Sequence, residues 1–418
     1  MVNNVIDRSG QSFWRCLIKN FIQTKRGKQI DVDLNELLAH HLLVVGATGS
    51  GKSTSMLSLV EQLQKAGQTT IIFDATGEYR HLDHAVVYQL GVNANLQMAD
   101  LNNDAVASIL AIKSETLKHK LEAAIQSLKI QQNVVASTGT YLKLNKSIAV
   151  FNEQIQTLVM SGKDYNPAML SDQIIEEFII PSTNDVPDFN LLGQQYNYPS
   201  IQHFWDNIIH AKLLLTNDRL QRIYGIRNSV SYNYPSQPMV TQTDLNYVLK
   251  LFSRLASKNR SLVIDVSALA VGTESSQTVI SILLKQLLDI RSKNSDRLPL
   301  TIFLDEAHRY IPNHPSDLMD SGIFKILREG RKYGIYTVLS TQSPLDLPVQ
   351  LRGHFGSYLV HKLQDQAEIS AILGKYNKEK IAHLAVGSGM LKLFGKKKAK
   401  QVTVIKPQAL HDTASPRF

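Results

Sequence analysis

Residues His41 to Lys65, HLLVVGATGSGKSTSMLSLVEQLQK, leave this chain few folds to choose from. They read as an apolar strand, a glycine-rich loop and an amphipathic helix in immediate succession. Gly46 to Ser53 fits GxxxxGK[ST], the phosphate-binding loop. Gly46, Gly49 and Gly51 can take backbone angles that a Cβ disfavours, which lets successive N–H groups point inward around an anion. The residues expected to cradle a nucleotide are therefore Gly46, Ala47, Thr48, Gly49, Ser50, Gly51, Lys52, Ser53 and, as a weaker neighbour, Thr54. Lys52 is placed to reach the β- and γ-phosphates and Ser53 to ligate Mg²⁺, while the helix start supplies partial positive charge. The flanking pattern argues against a ligand-free glycine turn. His41-Leu-Leu-Val-Val45 suits a buried parallel strand, Met56, Leu59, Val60 and Leu63 share one helical face, and Gly67 supplies a stop.

The 418 residues, 43% of them hydrophobic, can bury one large core or two modest ones. Lys and Arg number 45 against 36 Asp and Glu, a net charge of +9 that favours a polyanionic partner. One cysteine, Cys16, excludes an intramolecular disulfide framework and a cysteine-based zinc site. The amino-terminal residues lack the organisation of a signal peptide, and no apolar run approaches the ~18 residues that span a bilayer. A cytoplasmic protein without its own membrane anchor is expected.

Along the chain, residues 1–40 offer a strand segment beside the nucleotide core, and Thr69 to Asp74 form a second core strand. Asp74, at the carboxyl end of that strand, lies where open parallel sheets bind ligands; Glu78 and Arg80 could reach the same crevice or sit in a solvated loop. Helical patterns dominate from Asp104 to Gln132 and recur at Lys146 to Met160, Ile201 to Thr216 and Thr243 to Lys258. Residues 92–258 thus read as a mainly helical insertion in a core made of 41–91 and 259–406, with 407–418 a flexible tail.

The α/β alternation resumes at Ser261 to Asp265, and Leu298 to Glu306, LPLTIFLDE, is an apolar strand ending in two carboxylates. Such a pair suits two roles: Asp305 toward Mg²⁺ through water and Glu306 toward the attacking water. REGRKYG, Arg328 to Gly334, crowds Arg328, Arg331 and Lys332 at a helix end, where cations suit the helix dipole. The sharper reading gives Arg331 the task of stabilising charge on the transferring phosphoryl group. Gln342, at the tip of the following strand, could hold the water or the γ-phosphate, with Thr341 beside it. Two terminal strands, Met390 to Phe394 and Gln401 to Ile405, are joined by GKKKAK, a solvated lysine turn or a set of sequence-independent phosphate contacts.

Taken together, GATGSGKST, FDATGEY, LVIDVS, IFLDEAHRYIP, REGRKYGI and LSTQSP resemble, in this order, the HerA branch of the HerA/FtsK ATPases. The resemblance covers roughly residues 30–95 and 258–395. It implies a RecA-like P-loop NTPase core with a mainly parallel sheet, a helical insertion, ATP and Mg²⁺ as cofactors, and a homohexamer that moves double-stranded DNA. It implies Lys52 and Ser53 as phosphate and Mg²⁺ residues, Asp305 and Glu306 as metal and catalytic acids, Gln342 as sensor, and Arg331 reaching a phosphate across a subunit boundary, with Arg328 as second candidate. The β-barrel usual at the family's amino terminus has no match in the short stretch ahead of the loop. A docked nuclease or other effector, in anti-phage defence or DNA processing, is the context it suggests. The alternative is a nucleotide-gated ring scaffold that organises an effector without moving DNA. A secretion-coupling ATPase and an ABC-type ATPase are disfavoured, the first for want of a membrane anchor, the second for want of an LSGGQ-like stretch.

Overall fold

The computed structural model describes residues 2–6, 12–160, 162, 164–184, 186–226, 242–254, 261–269, 274–293, 298–312 and 315–408. The tail assigned to 407–418 thus lies outside the described residues from 409 onward. The chain divides into two compact units, Met1–Gln89 with Tyr247–Phe418, and Leu90–Asn246.

The first unit is built on one sheet, its strands being β1 (Val2–Ile6), β2 (Ser12–Gln23), β3 (Gln29–Asp33), β4 (Leu42–Val45), β5 (Thr69–Asp74), β6 (Ala85–Gln89), β7 (Ser261–Asp265), β8 (Leu300–Leu304), β9 (Ile335–Thr341), β10 (Ser357–Val360), β11 (Ser388–Lys392) and β12 (Lys400–Val404). Their order is β1-β2-β12-β11-β10-β4-β9-β8-β5-β7-β6, with β3 paired to β2. From β10 to β6 every pairing is parallel. On the other side β11, β12 and the amino-terminal strands extend the sheet in antiparallel fashion, Thr403 lying opposite Gln23. The first forty residues are therefore bonded into the core sheet.

The central strands are apolar on both faces because both faces are covered. In register across the sheet, Val87, Val263, Ile72, Phe303, Val338 and Leu42 form one row. This row shares a cluster with Met56, Leu59, Val60 and Leu63 of the helix Lys52–Lys65, and with Ile18, Phe21 and Ile22 of β2. Gly67 takes a φ of 71° just past that helix, and its N–H donates to Gln64 O at 2.9 Å, the expected stop. Because the sheet is parallel and the loop sits between β4 and its helix, everything that follows a strand's carboxyl end gathers at one edge.

The second unit is mainly helical. The single helical run read from Asp104 to Gln132 is two helices, Asn103–Ile109 and Glu115–Asn133. The break falls at Ala111, whose left-handed φ of 54° reverses the chain, and apolar periodicity carries no signal for it. Leu117, Leu121, Ala124, Ile125 and Leu128 are buried in this unit, as are Leu170, Ile174, Ile208 and Leu215. A buried ion pair joins Lys143 to Glu177, whose carboxylate also accepts from Ser127 and Gln173.

Candidate active site

Three aspartates stand side by side at the carboxyl ends of adjacent strands. Asp265 is in register with Asp74, and Asp305 follows Leu304, which pairs with Phe73. Asp74 is fully buried and organises the chain beyond it. Its Oδ1 accepts the N–H groups of Thr76 and Gly77 at 3.0 and 2.8 Å, and its Oδ2 that of Tyr79 at 2.9 Å. An aspartate that satisfies its own downstream backbone in this way folds a tight turn. The turn delivers three consecutive side chains to three places. The Glu78 carboxylate accepts from the Ser53 hydroxyl, Tyr79 OH donates to Asp305 Oδ2 at 3.2 Å, and Arg80 Nε donates to Asp265 Oδ2 at 2.5 Å.

Asp305 is buried, and its Oδ1 accepts from the Ser340 hydroxyl and from the Glu306 N–H. Burial pushes its carboxyl above the usual range and the Glu306 charge adds to this, against the bonds from Ser340 and Tyr79. Glu78 is likewise raised, by burial first and by the charge of Asp305 second, with the Ser53 bond opposing. Glu306 sits just beyond β8 in a left-handed conformation, φ 48° and ψ 48°, at a cost of ~1–3 kcal/mol. Its N–H donates to Ser340 Oγ at 3.0 Å, its Oε1 lies 3.8 Å from Lys52 Nζ, and its Oε2 lies 3.3 Å from His308 Nδ1. Lys52 is buried and donates to Gly46 O at 2.9 Å. Thr48 donates to Gln342 Oε1 at 3.3 Å, which joins the loop to the tip of β9.

The carboxylates of Glu78, Asp305 and Glu306 repel one another around the Ser53 hydroxyl, a setting that a cation would relieve. Among the described residues no three His, Cys, Asp or Glu groups are arranged to hold a metal by themselves. That fits Mg²⁺, which keeps several waters and takes ligands from phosphates as well as from one or two protein groups.

The loop is fastened from the side of β10 and β11. Ala47 N–H donates to Lys362 O at 2.9 Å, and Gly387 N–H to Ser50 O at 3.0 Å. The His361 imidazole, fully buried, bonds Ser55 Oγ and Ser388 O, both at 2.9 Å. Burial, and secondarily the nearby Lys52 charge, hold it down to about 4. Of the loop glycines, Gly49 and Gly51 have positive φ, 73° and 109°, as their role in the loop anticipates. Gly46 does not; it is required by space, since a Cβ there would lie 2.5 Å from Ser50 Oγ and 2.6 Å from His361 Cβ.

Arg331 is elsewhere. It precedes β9, whose seven residues separate it from Gln342 by ~20 Å. Its Nη1 lies 2.7 Å from His40 Nδ1, and His40 stacks on Phe394. It lines an open pocket of about 380 Å³ with Asn35, Ala39, Lys332 and Tyr336. Arg328 pairs with Glu329 at 2.8 Å over the Phe324 ring. The structure thus brings together Lys52, Ser53, Asp305, Glu306 and Gln342, and leaves both arginines at the opposite edge of the sheet. Sequence reasoning left Glu78 open between crevice and solvent, and gave no place to Tyr79, Ser340 or His361. The D-x-x-G-E-Y turn carried a usable signal for Glu78 and Tyr79; His361 carried none.

A phosphate-binding loop on β4, acidic residues at the ends of β5 and β8, and a strand inserted between β4 and β8 define a P-loop ATPase of RecA-like fold. The plasmid coupling protein TrwB in complex with ADP and Mg²⁺ shares the fold, with a TM-score of 0.55 and 15% identity over 96% of this chain and 97% of that one. The chain belongs to the HerA family: residues 20–287 match the family described as "Helicase HerA, central domain". The DNA double-strand break repair helicase HerA of Saccharolobus solfataricus is 21% identical over 388 residues, 87% of this chain and 64% of that protein. A probable DNA double-strand break repair helicase HerA of Methanocaldococcus jannaschii is 23% identical over 411 residues, 88% of this chain and 72% of its own length. This chain therefore spans less than two thirds of the first of these relatives.

Proposed function

We propose that this chain hydrolyses ATP and uses it to translocate double-stranded DNA, working as a homohexameric ring in the cytoplasm. The observation that carries this reading is the convergence of Lys52, Ser53, Asp305, Glu306 and Gln342 on one strand edge while Arg331 stands at the other. Lys52 binds the β- and γ-phosphates. Ser53 and Asp305 would hold Mg²⁺, which when bound neutralises phosphate charge. Glu306, displaced from the strand line by its left-handed backbone, takes a proton from the attacking water, and Gln342 orients that water or the γ-phosphate. Arg331 cannot reach its own chain's phosphates across the length of β9. As an arginine finger it serves a neighbouring subunit, where loss of such a group costs ~10³–10⁵ in rate. DNA as substrate is supported by the relatives' names as DNA repair helicases and by the net charge of +9. A separately encoded nuclease or other effector docked on the ring, in anti-phage defence or DNA processing, completes the proposal. Among the described residues no helix is long and apolar enough to cross a membrane.

The deciding experiment is ATP turnover with and without double-stranded DNA, beside Lys52→Ala and Glu306→Gln. Stimulation by DNA that both substitutions abolish is expected. Robust turnover indifferent to DNA would replace the motor with a nucleotide-gated scaffold that organises an effector.

A further inference from the structure

The lysines of GKKKAK do not simply fan into solvent. Lys397 and Lys398 from the turn between β11 and β12 meet Lys392 from the end of β11 and Lys375 from the segment after the helix Gln366–Leu373. Together with Leu373, Tyr376 and Ala399 they line a pocket of about 310 Å³. Tyr376 OH donates to Ala399 O at 3.3 Å and ties the two walls together. The neighbouring Lys396 pairs with Glu36 at 3.5 Å, whereas none of these four lysines pairs with a carboxylate among the described residues. Lys392 is half-buried, with its ammonium 5.7 Å from the Tyr358 ring centre, so it is partly desolvated as well as unneutralised. A helix carboxyl end favours one cation and accounts for Lys375, not for four around one concavity.

We infer that this pocket binds the phosphodiester backbone of nucleic acid. Ammonium groups on flexible stems neutralise phosphates as point charges and read no base, as a protein that moves along any sequence requires. Several cations spread over a turn, a strand end and a helix end suit a run of phosphates better than a single small anion. The inference rests on the DNA-handling reading above and adds to it a location, on the antiparallel side of the sheet.

The test is fluorescence-anisotropy binding of a random-sequence duplex to the full chain at several salt concentrations, with Lys375, Lys392, Lys397 and Lys398 all changed to alanine, or all to arginine. If each lysine meets one phosphate, the slope of log affinity against log salt falls by about 3–4 in the alanine variant. The arginine variant keeps the wild-type slope. A control in which Lys19, Lys25, Arg26 and Lys28 become alanine removes the same charge elsewhere and should leave the slope nearly unchanged. An unaltered slope in the pocket variant, or an equal loss in the control, overturns the site. Wild-type protein that binds no duplex at any salt overturns the site and the DNA reading together. A thermal midpoint equal to wild type shows that the alanine variant is folded, and the arginine variant reports separately if it is not.

Discussion

Acidification tests the buried histidines in a way that can be worked through in numbers. His41 is fully buried just before β4, with Nε2 3.0 Å from Leu327 O and Nδ1 3.0 Å from the Thr337 N–H. A carbonyl needs a donor and an N–H needs an acceptor, so the ring is neutral with its proton on Nε2. Protonating Nδ1 would set a donor against the Thr337 N–H. Burial, more than the nearby Arg331 charge, holds this imidazole down from 6.5 to about 4. In the unfolded chain it titrates near 6.5, so between these values the unfolded state binds a proton that the folded state does not. Stability is therefore complete above pH 6.5 and lost as pH falls toward 4, by ~1.4 kcal/mol per pH unit and about 3 kcal/mol in all. His361, held down to about 4 with burial as the leading cause, contributes a similar loss. The sum is a large part of the ~5–15 kcal/mol typical of a folded protein. Asp74, Glu78 and Asp305 act in the opposite sense, since carboxyls raised by burial bind protons more readily when folded and gain on acidification. Denaturation in urea at pH 7, 6, 5 and 4 gives the net effect. Histidine ring resonances, assigned with His41→Gln and His361→Gln, isolate the two groups. A resonance from either histidine that titrates near 6.5 in the folded protein would refute the reasoning.

Glu306→Gln should keep nucleotide affinity while turnover falls ~10²–10⁴-fold, measured by equilibrium nucleotide binding beside steady-state hydrolysis. Gly46→Ala, which forces a Cβ against Ser50 and His361, should cost ~1–3 kcal/mol and weaken nucleotide binding, read by urea denaturation and nucleotide titration. Arg331→Ala and Lys52→Ala proteins should each be inactive alone and regain turnover when mixed, because a mixed ring contains interfaces with an intact loop and an intact arginine. No recovery after verified subunit exchange would remove Arg331 from the neighbour's site. Tyr79→Phe, losing the hydroxyl bond to Asp305, should lower the Mg²⁺ sensitivity of nucleotide binding without unfolding the chain, checked by titration at stepped Mg²⁺.

What the sequence determined by itself were the elements whose chemistry is local. A phosphate loop is specified by glycines, a lysine and a serine at set spacing, and continuous apolar runs ending in Asp74, Asp265 and Asp305 mark buried parallel strands whatever surrounds them. Their sharing of one edge follows from parallelism, which the alternation of strands and helices already implied. Helix boundaries that depend on one residue's backbone, as at Ala111, were invisible because apolar periodicity continues through the break. Tertiary structure alone decided the distant pairings: Ser340 on Asp305, His361 beneath the phosphate loop, Arg331 at the far end of β9, and lysines from a turn, a strand end and a helix end around one pocket. Each joins residues brought together by strand order, and strand order is set by which apolar faces pack best across the whole sheet, a sum over the chain that no local stretch carries.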